Sequence, residues 1–474
     1  MKTKKISIAE HKLMKVCILT ILTLFLLFFF VWASRYWNDL QGYRYEELVF
    51  SWVVISLFMN VVSIILCKKP KYIDMLLIFV LCSYLFMFGH VFFYIGNFQT
   101  TLLWNPAVYF SEIEKFRASV YAIFCLTFLS LGYIVGGEIK NKELNLYNLV
   151  KRKRDYQLGW LLVSVGFISS FLNEFKIISE TLSSNSYISY GKVDTTGFLD
   201  DFSFLLVPGI VYVLSSKMLS KKKSLVLVSF SIIYFVLLMV FSGSRKIQLF
   251  SVITVILCYL RTQKKRNINI KKMIVVSIFG VIILNLLYVI RQTRFQLNSV
   301  LPTFFDSFVN FKFLGSIFGE TFAESGLTFY SVVAITSNVP TVFPFEYGMT
   351  FVRTLPSIIP IGWLIGDFFN KASSSYVINR YTGLPVGTSL FGDFYWNFGF
   401  VGGVFCCFIM GIAISKFISY AMSEYNIALY FSVFYVLMIG IRAGVFELYR
   451  PMAIAVLIPY VLRFIIFNNK KYGG

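Results

Sequence analysis

The most restrictive feature of this sequence is a series of long apolar segments that recurs along most of its 474 residues. A helix needs about 17–25 apolar residues to cross a membrane, and we count twelve segments of roughly that length. They lie near residues 15–34, 48–67, 72–96, 118–137, 156–173, 201–216, 224–242, 247–260, 273–290, 394–415, 426–441 and 452–467. Because lipid cannot hydrogen-bond the backbone, such segments fold as helices. The predicted fold class is an all-α, polytopic integral membrane bundle.

The charged residues predict the orientation of this bundle. With the N-terminus in the cytoplasm, the connecting segments place 28 basic and 6 acidic residues inside, against 16 basic and 17 acidic residues outside. Cytoplasmic loops of membrane proteins carry such an excess of Lys and Arg. The net charge of +21 is therefore a topology signal and does not indicate nucleic-acid binding. Both termini are predicted to be cytoplasmic, and the first apolar run is interpreted as a retained helix because it is too long for a signal peptide.

The basic residues on the two sides differ in kind. Only 5 of the 28 inner ones are arginines, whereas 10 of the 16 outer ones are. Lysine suffices for topology, so an outer preference for the planar guanidinium favours binding of phosphate or carboxylate. The alternative is that these arginines pair with outer acids or extend along helix ends. The ten are Arg35, Arg44, Arg117, Arg245, Arg291, Arg294, Arg353, Arg380, Arg442 and Arg450.

One outer segment, from Arg291 to Asp393, is much longer than the other connections. It divides the chain into a membrane bundle at 1–290, a large outer loop of short helices at 291–393, and final spans at 394–474. It is rich in Gly, Pro, Ser and aromatic residues, and loops of about a hundred residues are usually functional. Two apolar stretches, 327–345 and 354–369, are predicted to be re-entrant or to lie flat on the membrane.

Four arginines, three of them in this segment, are candidates for binding an anion. Arg291 and Arg294 are three residues apart, so on a helix they share a face and could grip one anionic group. Arg353 stands in the apolar stretch TFVRTLPSIIP and needs either an acidic partner or an anionic ligand. Arg245 follows a glycine turn in FSGSRK, which could equally be a plain helical hairpin.

Two further groups of polar residues stand near the ends of late spans. Ser389 and Asp393 precede the tenth span in GLPVGTSLFGDFYWNFG, where an ordinary N-cap or first-turn acid is the alternative to a functional role. Arg442, Glu447 and Arg450 bracket the final outer turn, where a structural ion pair competes with a ligand contact.

The sequence predicts no metal or other cofactor. The seven cysteines lie in apolar runs without metal-site spacing. The nearest approach to a D-x-D motif is Glu112-Ile113-Glu114, whose acids suit the start of a helix. Of the two histidines, His11 lies in the cytoplasmic tail. His90, in the third span, is predicted to be a hydrogen-bonded interior residue rather than a proton acceptor.

Three motifs together resemble the Wzy-type O-antigen and capsule repeat-unit polymerases. They are FSGSRK at 241–246, YGMTFVRTLPSIIP at 347–360 and PVGTSLFGDFYWNFGFVGG at 385–403. The resemblance implies a metal-independent, GT-C-like glycosyltransferase of the bacterial inner membrane whose active site faces the periplasm or exterior. It further implies a donor glycan on undecaprenyl pyrophosphate, an acceptor repeat unit on a second carrier, membrane lipid, and a chain-length regulator as partners. Related enzymes use an outer-loop histidine, which this loop lacks.

This reaction class assigns expected roles to the candidate residues. Arg245, Arg291, Arg294 and Arg353 would stabilise the departing pyrophosphate. Asp393, Glu320 and Glu324 would orient or deprotonate the acceptor hydroxyl. The expected substrate-binding residues are Arg442, Arg450, Ser389 and three aromatic residues that could stack on sugars, Tyr347, Tyr395 and Trp396.

Two other classes of protein remain open at this point. Another outer-leaflet transferase, such as an O-antigen ligase, would share the architecture. A lipid-linked oligosaccharide flippase or other transporter would also suit twelve spans, although transporters commonly show repeated halves, which this sequence lacks.

Overall fold

The computed structural model describes the chain outside a set of short gaps. The residues left out are 1, 69–73, 99–105, 138–148, 186–196, 243–245, 263–288, 290–292, 294–298, 310–312, 360–367, 384–386, 424–425 and 469–474. Every regular element in the described part is helical.

The α-helices follow one another in the order predicted from the apolar segments. They are α1 (Lys2–Arg35), α2 (Tyr45–Lys68), α3 (Met75–Ile95), α4 (Glu112–Val135), α5 (Leu149–Ser184), α6 (Phe198–Ser203), α7 (Leu206–Ser215), α8 (Lys221–Ser242), α9 (Lys246–Thr262), α10 (Val300–Val309), α11 (Phe313–Asn338), α12 (Met349–Thr354), α13 (Ser374–Thr382), α14 (Leu390–Ser423), α15 (Ile427–Gly440), α16 (Val445–Met452) and α17 (Ile458–Asn468). Pro106–Tyr109 and Leu355–Ile358 form 3₁₀ turns, and a π-helical turn, Ala453–Leu457, joins α16 to α17.

The structure confirms an all-helical membrane protein. In the described part of the chain, nine helical segments are long and apolar enough to cross a membrane. Helices α9 and α15 are shorter apolar helices and coincide with the predicted spans at 247–260 and 426–441. The predicted span at 273–290 lies outside the described residues except for Val289.

Helix α11 differs from the prediction that residues 291–393 form a loop of short helices. It is 26 residues long, and its residues Phe329, Val332 and Val333 are fully buried. It packs against α3, α4 and α14. Residues 327–338 are therefore packed within the protein, which contradicts the surface-lying alternative for them, and the re-entrant alternative stays a prediction.

Small residues explain why α11 packs so closely against α3. A Cβ atom placed on Gly326 would lie 2.5 Å from the backbone nitrogen of His90, and one on Gly89 would lie 2.6 Å from the carbonyl oxygen of Phe322. Helices in membranes approach closely where such small residues meet. The glycine and serine content that suggested a loop here serves helix packing instead.

The bundle has two ends, and the end at which α1 stops and α2 begins is here called the distal end. The start of α4 lies there as well, because Glu112 accepts a hydrogen bond from the backbone of Tyr45 at 3.1 Å. Further into the bundle, the hydroxyl of Tyr121 in α4 donates to the carbonyl oxygen of Phe391 at 2.9 Å. This bond ties the start of α14 to the core of the bundle, beside the candidate site.

Candidate functional site

The site is built around a break in helix α14. Gly399 has φ +65° and ψ −166°, which lies outside the helical region and suits glycine because it has no Cβ. A break frees carbonyl groups that need new partners. The carbonyl of Trp396 accepts from the backbone of Glu346 at 3.2 Å, and that of Asn397 accepts from Tyr347 at 3.0 Å. The segment that precedes α12 is thus attached to the break.

A buried amide strengthens this attachment. The side-chain oxygen of Asn397 accepts from the backbone of Gly348 at 2.9 Å, and its nitrogen donates to the carbonyl oxygen of Asp393 at 2.8 Å. The same amide lies 2.7 and 3.0 Å from the hydroxyl of Thr350. Asn397 was not among the residues predicted from the sequence. The available signal was an amide in an apolar aromatic run, which is costly to bury without partners.

Asp393 joins the start of α14 to the start of α16. Its carboxylate accepts from the backbone of Val445 at 2.5 Å and from the hydroxyl of Thr388 at 3.4 Å. The residue is buried in the first turn of α14, while Ser389 accepts from the backbone of Gly392 at 3.2 Å and caps the helix. Asp393 is therefore a first-turn acid, one of the alternatives considered, but its side chain binds a different helix.

The guanidinium of Arg353 has an acidic partner in this conformation. Its Nη1 donates to Oε2 of Glu346 at 2.7 Å, and the two side chains are 26% and 19% exposed. One of the five N–H donors of the guanidinium makes this bond. An acidic partner was one of the two alternatives predicted for Arg353, and it is present here. The other N–H donors of the guanidinium can bind an anion.

Arg450 connects three elements beside this pair. Its Nε donates to the carbonyl oxygen of Ser357 at 2.9 Å, and its Nη1 lies 3.3 Å from the carboxylate of Asp201 in α6. Arg450 therefore forms a structural ion pair, which was one of the two alternatives for the final outer turn. Its acidic partner, Asp201, is distant in sequence. The guanidinium of Arg442 lies 5.7 Å from the ring of Phe86.

The comparison with known families bears on the whole chain. A family model described as O-antigen polysaccharide polymerase Wzy matches residues 17–471. The chain belongs to this family. The resemblance inferred from three motifs is thereby confirmed over nearly the full sequence, and the role of the family is that of an O-antigen polymerase. Comparisons with curated proteins and with solved structures gave no match.

Two of the three motifs of this Wzy-family polymerase meet in space. The break in α14 belongs to the 385–403 motif. Hydrogen bonds from Tyr347 and Gly348 to Asn397 attach the 347–360 motif to this break. The central residues 243–245 of the third motif lie outside the described part. The candidates Arg245, Arg291 and Arg294 lie outside it too.

The two predicted glutamates of the polymerase lie apart from Asp393. Ile335 of α11 touches the position of Gly392, since a Cβ there would lie 2.6 Å from Ile335 Cδ1. At a rise of about 1.5 Å per residue, Glu320 and Glu324 are roughly 22 and 16 Å from Ile335 along the helix. The structure thus brings neither glutamate together with Asp393.

The three predicted sugar-stacking residues have different surroundings. Trp396 is buried, with its ring 6.3 Å from that of Phe343. The ring of Tyr395 lies edge-on to Tyr121 at 5.1 Å. Tyr347, at 77% exposure, is the most accessible of the three to a sugar in this conformation.

The acids considered as a D-x-D substitute have local roles in the polymerase. Glu114 forms a capping box with Ser111 at the start of α4. Glu112 pairs with Lys115 and accepts from Tyr45. Within the described residues, the structure contains no cluster of three or more potential metal ligands.

His90 differs from its prediction in one respect. It is buried as predicted, with its ring 4.1 Å from that of Phe329. However, neither ring nitrogen has a hydrogen-bond partner among the described residues, so the expected hydrogen bond is missing.

Proposed function

We propose that this polymerase joins oligosaccharide repeat units carried on undecaprenyl pyrophosphate into O-antigen or capsular polysaccharide at the outer leaflet of the inner membrane. The observation that carries the proposal is the partly exposed Arg353 at the junction of the two motifs. The donor glycan, the acceptor repeat unit on a second carrier, and a chain-length regulator are the proposed partners. On this proposal the distal end faces the periplasm or exterior, and both termini are cytoplasmic.

The proposed reaction is a displacement at the donor's anomeric carbon. The acceptor hydroxyl oxygen forms the new glycosidic bond, and the bond from that carbon to the pyrophosphate oxygen breaks. The carrier pyrophosphate leaves with the electron pair. Fixed guanidiniums stabilise such developing negative charge most strongly in a site that excludes water. Arg353 supplies the positive charge that stabilises the pyrophosphate. Arg245, Arg291 and Arg294 are proposed to bind the same anion.

The ion pair of Arg353 suggests where the hydroxyl proton goes. When the guanidinium turns to the pyrophosphate, the carboxylate of Glu346 loses its partner and becomes available to accept a proton. Asp393 is less suited to this role because its carboxylate is buried and already bound to Val445 and Thr388. We therefore propose Glu346 as the proton acceptor and Asp393 as a positioning residue.

The proposal is tested by a gel of surface polysaccharide from a strain that lacks the gene, with and without the gene restored. We expect the ladder to collapse to single repeat units on their final acceptor and to return on restoration. Full-length polymer trapped on its carrier lipid would instead indicate a ligase. Loss of all surface glycan, with repeat units held on the inner leaflet, would indicate a flippase.

Charge stabilisation by arginine predicts that the purified enzyme needs no divalent cation. We expect polymerisation of lipid-linked repeat units to proceed at an unchanged rate in excess chelator. A control with added Mg²⁺ after chelation checks that the chelator itself is harmless. Activity that is abolished by chelator and restored by metal would contradict this mechanism and favour a metal-using transferase.

A further inference from the structure

The segment Met349–Ile359 is amphipathic in the opposite sense to a surface helix of a water-soluble protein. Its buried side chains are polar: Thr350 and Thr354 in α12, and Ser357 in the 3₁₀ turn. Its exposed side chains are apolar: Met349, Val352, Leu355, Ile358 and Ile359. Val352 and Leu355 are 56% and 50% exposed. A face of this composition is unfavourable in water, because apolar surface is stabilised by leaving water.

The exposed face adjoins the outward surface of α14. The ring of Phe351 lies 5.9 Å from that of Phe398, and a Cβ on Gly348 would lie 3.4 Å from the same ring. Beyond Phe398, the outward side chains of α14 include Val401 and Phe405, at 81% and 57% exposure. Since α14 is a candidate membrane span, this surface is the one that faces lipid. The apolar face of Met349–Ile359 continues that surface.

A helix in the same connecting segment, α13, shows a mixed arrangement. Its apolar Ile378 is buried and Arg380 is exposed, while Tyr376 and Tyr381 are exposed as well. Both helices lie in the same connecting segment, so the inverted pattern of Met349–Ile359 is a local property.

We infer that Met349–Ile359 is embedded among the lipids of the distal leaflet, with membrane lipid as the partner of its apolar face. The hydrogen bonds of Thr350 to Asn397 and of Arg450 to the Ser357 carbonyl hold its polar side on the protein. Arg353 follows Val352 directly, at the border between lipid and protein. On the proposed function, which this last step requires, a lipid-linked pyrophosphate reaches Arg353 sideways from the leaflet without leaving the membrane.

The inference is tested with nitroxide spin labels in lipid nanodiscs, in a background from which the seven cysteines have been replaced. Labels at Val352, Leu355 and Ile359 are compared with a label at Val401 as the lipid reference. A label at Arg380, an exposed charged residue of α13, is the aqueous reference. Accessibility to oxygen, which concentrates in lipid, is measured against accessibility to a water-soluble nickel chelate.

We expect all three test positions to match Val401, with oxygen accessibility above nickel accessibility, and Arg380 to show the reverse. Nickel accessibility above oxygen accessibility at the three positions would overturn the inference, because it places the face in water. Low accessibility to both reagents would also overturn it, because a protein surface such as a second copy then covers the face. The measurement needs no turnover, so it is independent of whether the chain polymerises glycans.

Discussion

Replacing Arg353 by lysine is expected to lower polymer formation at least about thirtyfold while the amount of protein in the membrane stays normal. Lysine keeps the positive charge and can still pair with Glu346, but it loses the planar fork that binds two phosphate oxygens together. A charge-assisted hydrogen bond contributes about 1.5–3 kcal/mol. Loss of about 2 kcal/mol from the transition state corresponds to a rate about thirtyfold lower. Initial rates with lipid-linked repeat units measure the effect.

The matched control for this variant is Arg380→Lys. Arg380 lies in the same connecting segment, is exposed, and makes no ion pair within the described part of the chain. We expect its rate to stay within about twofold of the parent, since an exposed charge contributes little. Near-normal activity of Arg353→Lys would remove the residue from the anion site. Equal loss in both variants would mean that the effect is not specific to the site.

Replacing Asn397 by leucine is expected to destabilise the polymerase and to abolish polymer formation. The substitution removes the amide that binds the partly buried Gly348 backbone, the Thr350 hydroxyl and the Asp393 carbonyl, and leaves these groups without that partner. Each buried polar group left unsatisfied costs about 1–3 kcal/mol. We therefore expect a loss of at least about 3 kcal/mol, measured by thermal unfolding in detergent. Separation of α12 from α14 would then displace Arg353.

Asn338→Leu provides a matched control. The amide of Asn338 donates to Ala334 within its own helix at 2.7 Å and is only partly buried. Its replacement is expected to change the free energy of unfolding by less than about 1 kcal/mol, because within the described residues its amide holds no second segment. Equal stability of the two variants would refute the central role of Asn397 in holding the motifs together.

Much of the fold could be predicted from the sequence because membrane insertion depends on local composition. Long apolar runs identified the spans, and Leu390–Ser423 begins close to the predicted start at 394. Helix α11 was missed because its glycine and serine residues resemble those of a loop. In the fold they allow α3 and α11 to touch through Gly89 and Gly326, a contact between residues that are far apart in sequence.

The candidate site was only partly predictable for a similar reason. Arg353 was identifiable because a charge in an apolar stretch needs a partner. The support from Asn397 and the attachment of the Glu346 backbone depend on the break at Gly399, which brings together segments about fifty residues apart. Neither spacing nor periodicity encodes such a contact. The same holds for Asp393, whose first-turn position was foreseen but whose bond to Val445 was not.

The attachment of Glu346 and Tyr347 to the break in α14 has a consequence for how enzymes of this architecture can diversify. The backbone bonds at the break fix the register between Arg353 and α14 locally, whatever precedes Glu346. Changes in the turn that directly precedes Glu346 are therefore expected to leave the position of Arg353 relative to α14 unchanged. On the proposed function, the surroundings of Arg353 can thus vary between family members while its attachment to α14 is kept.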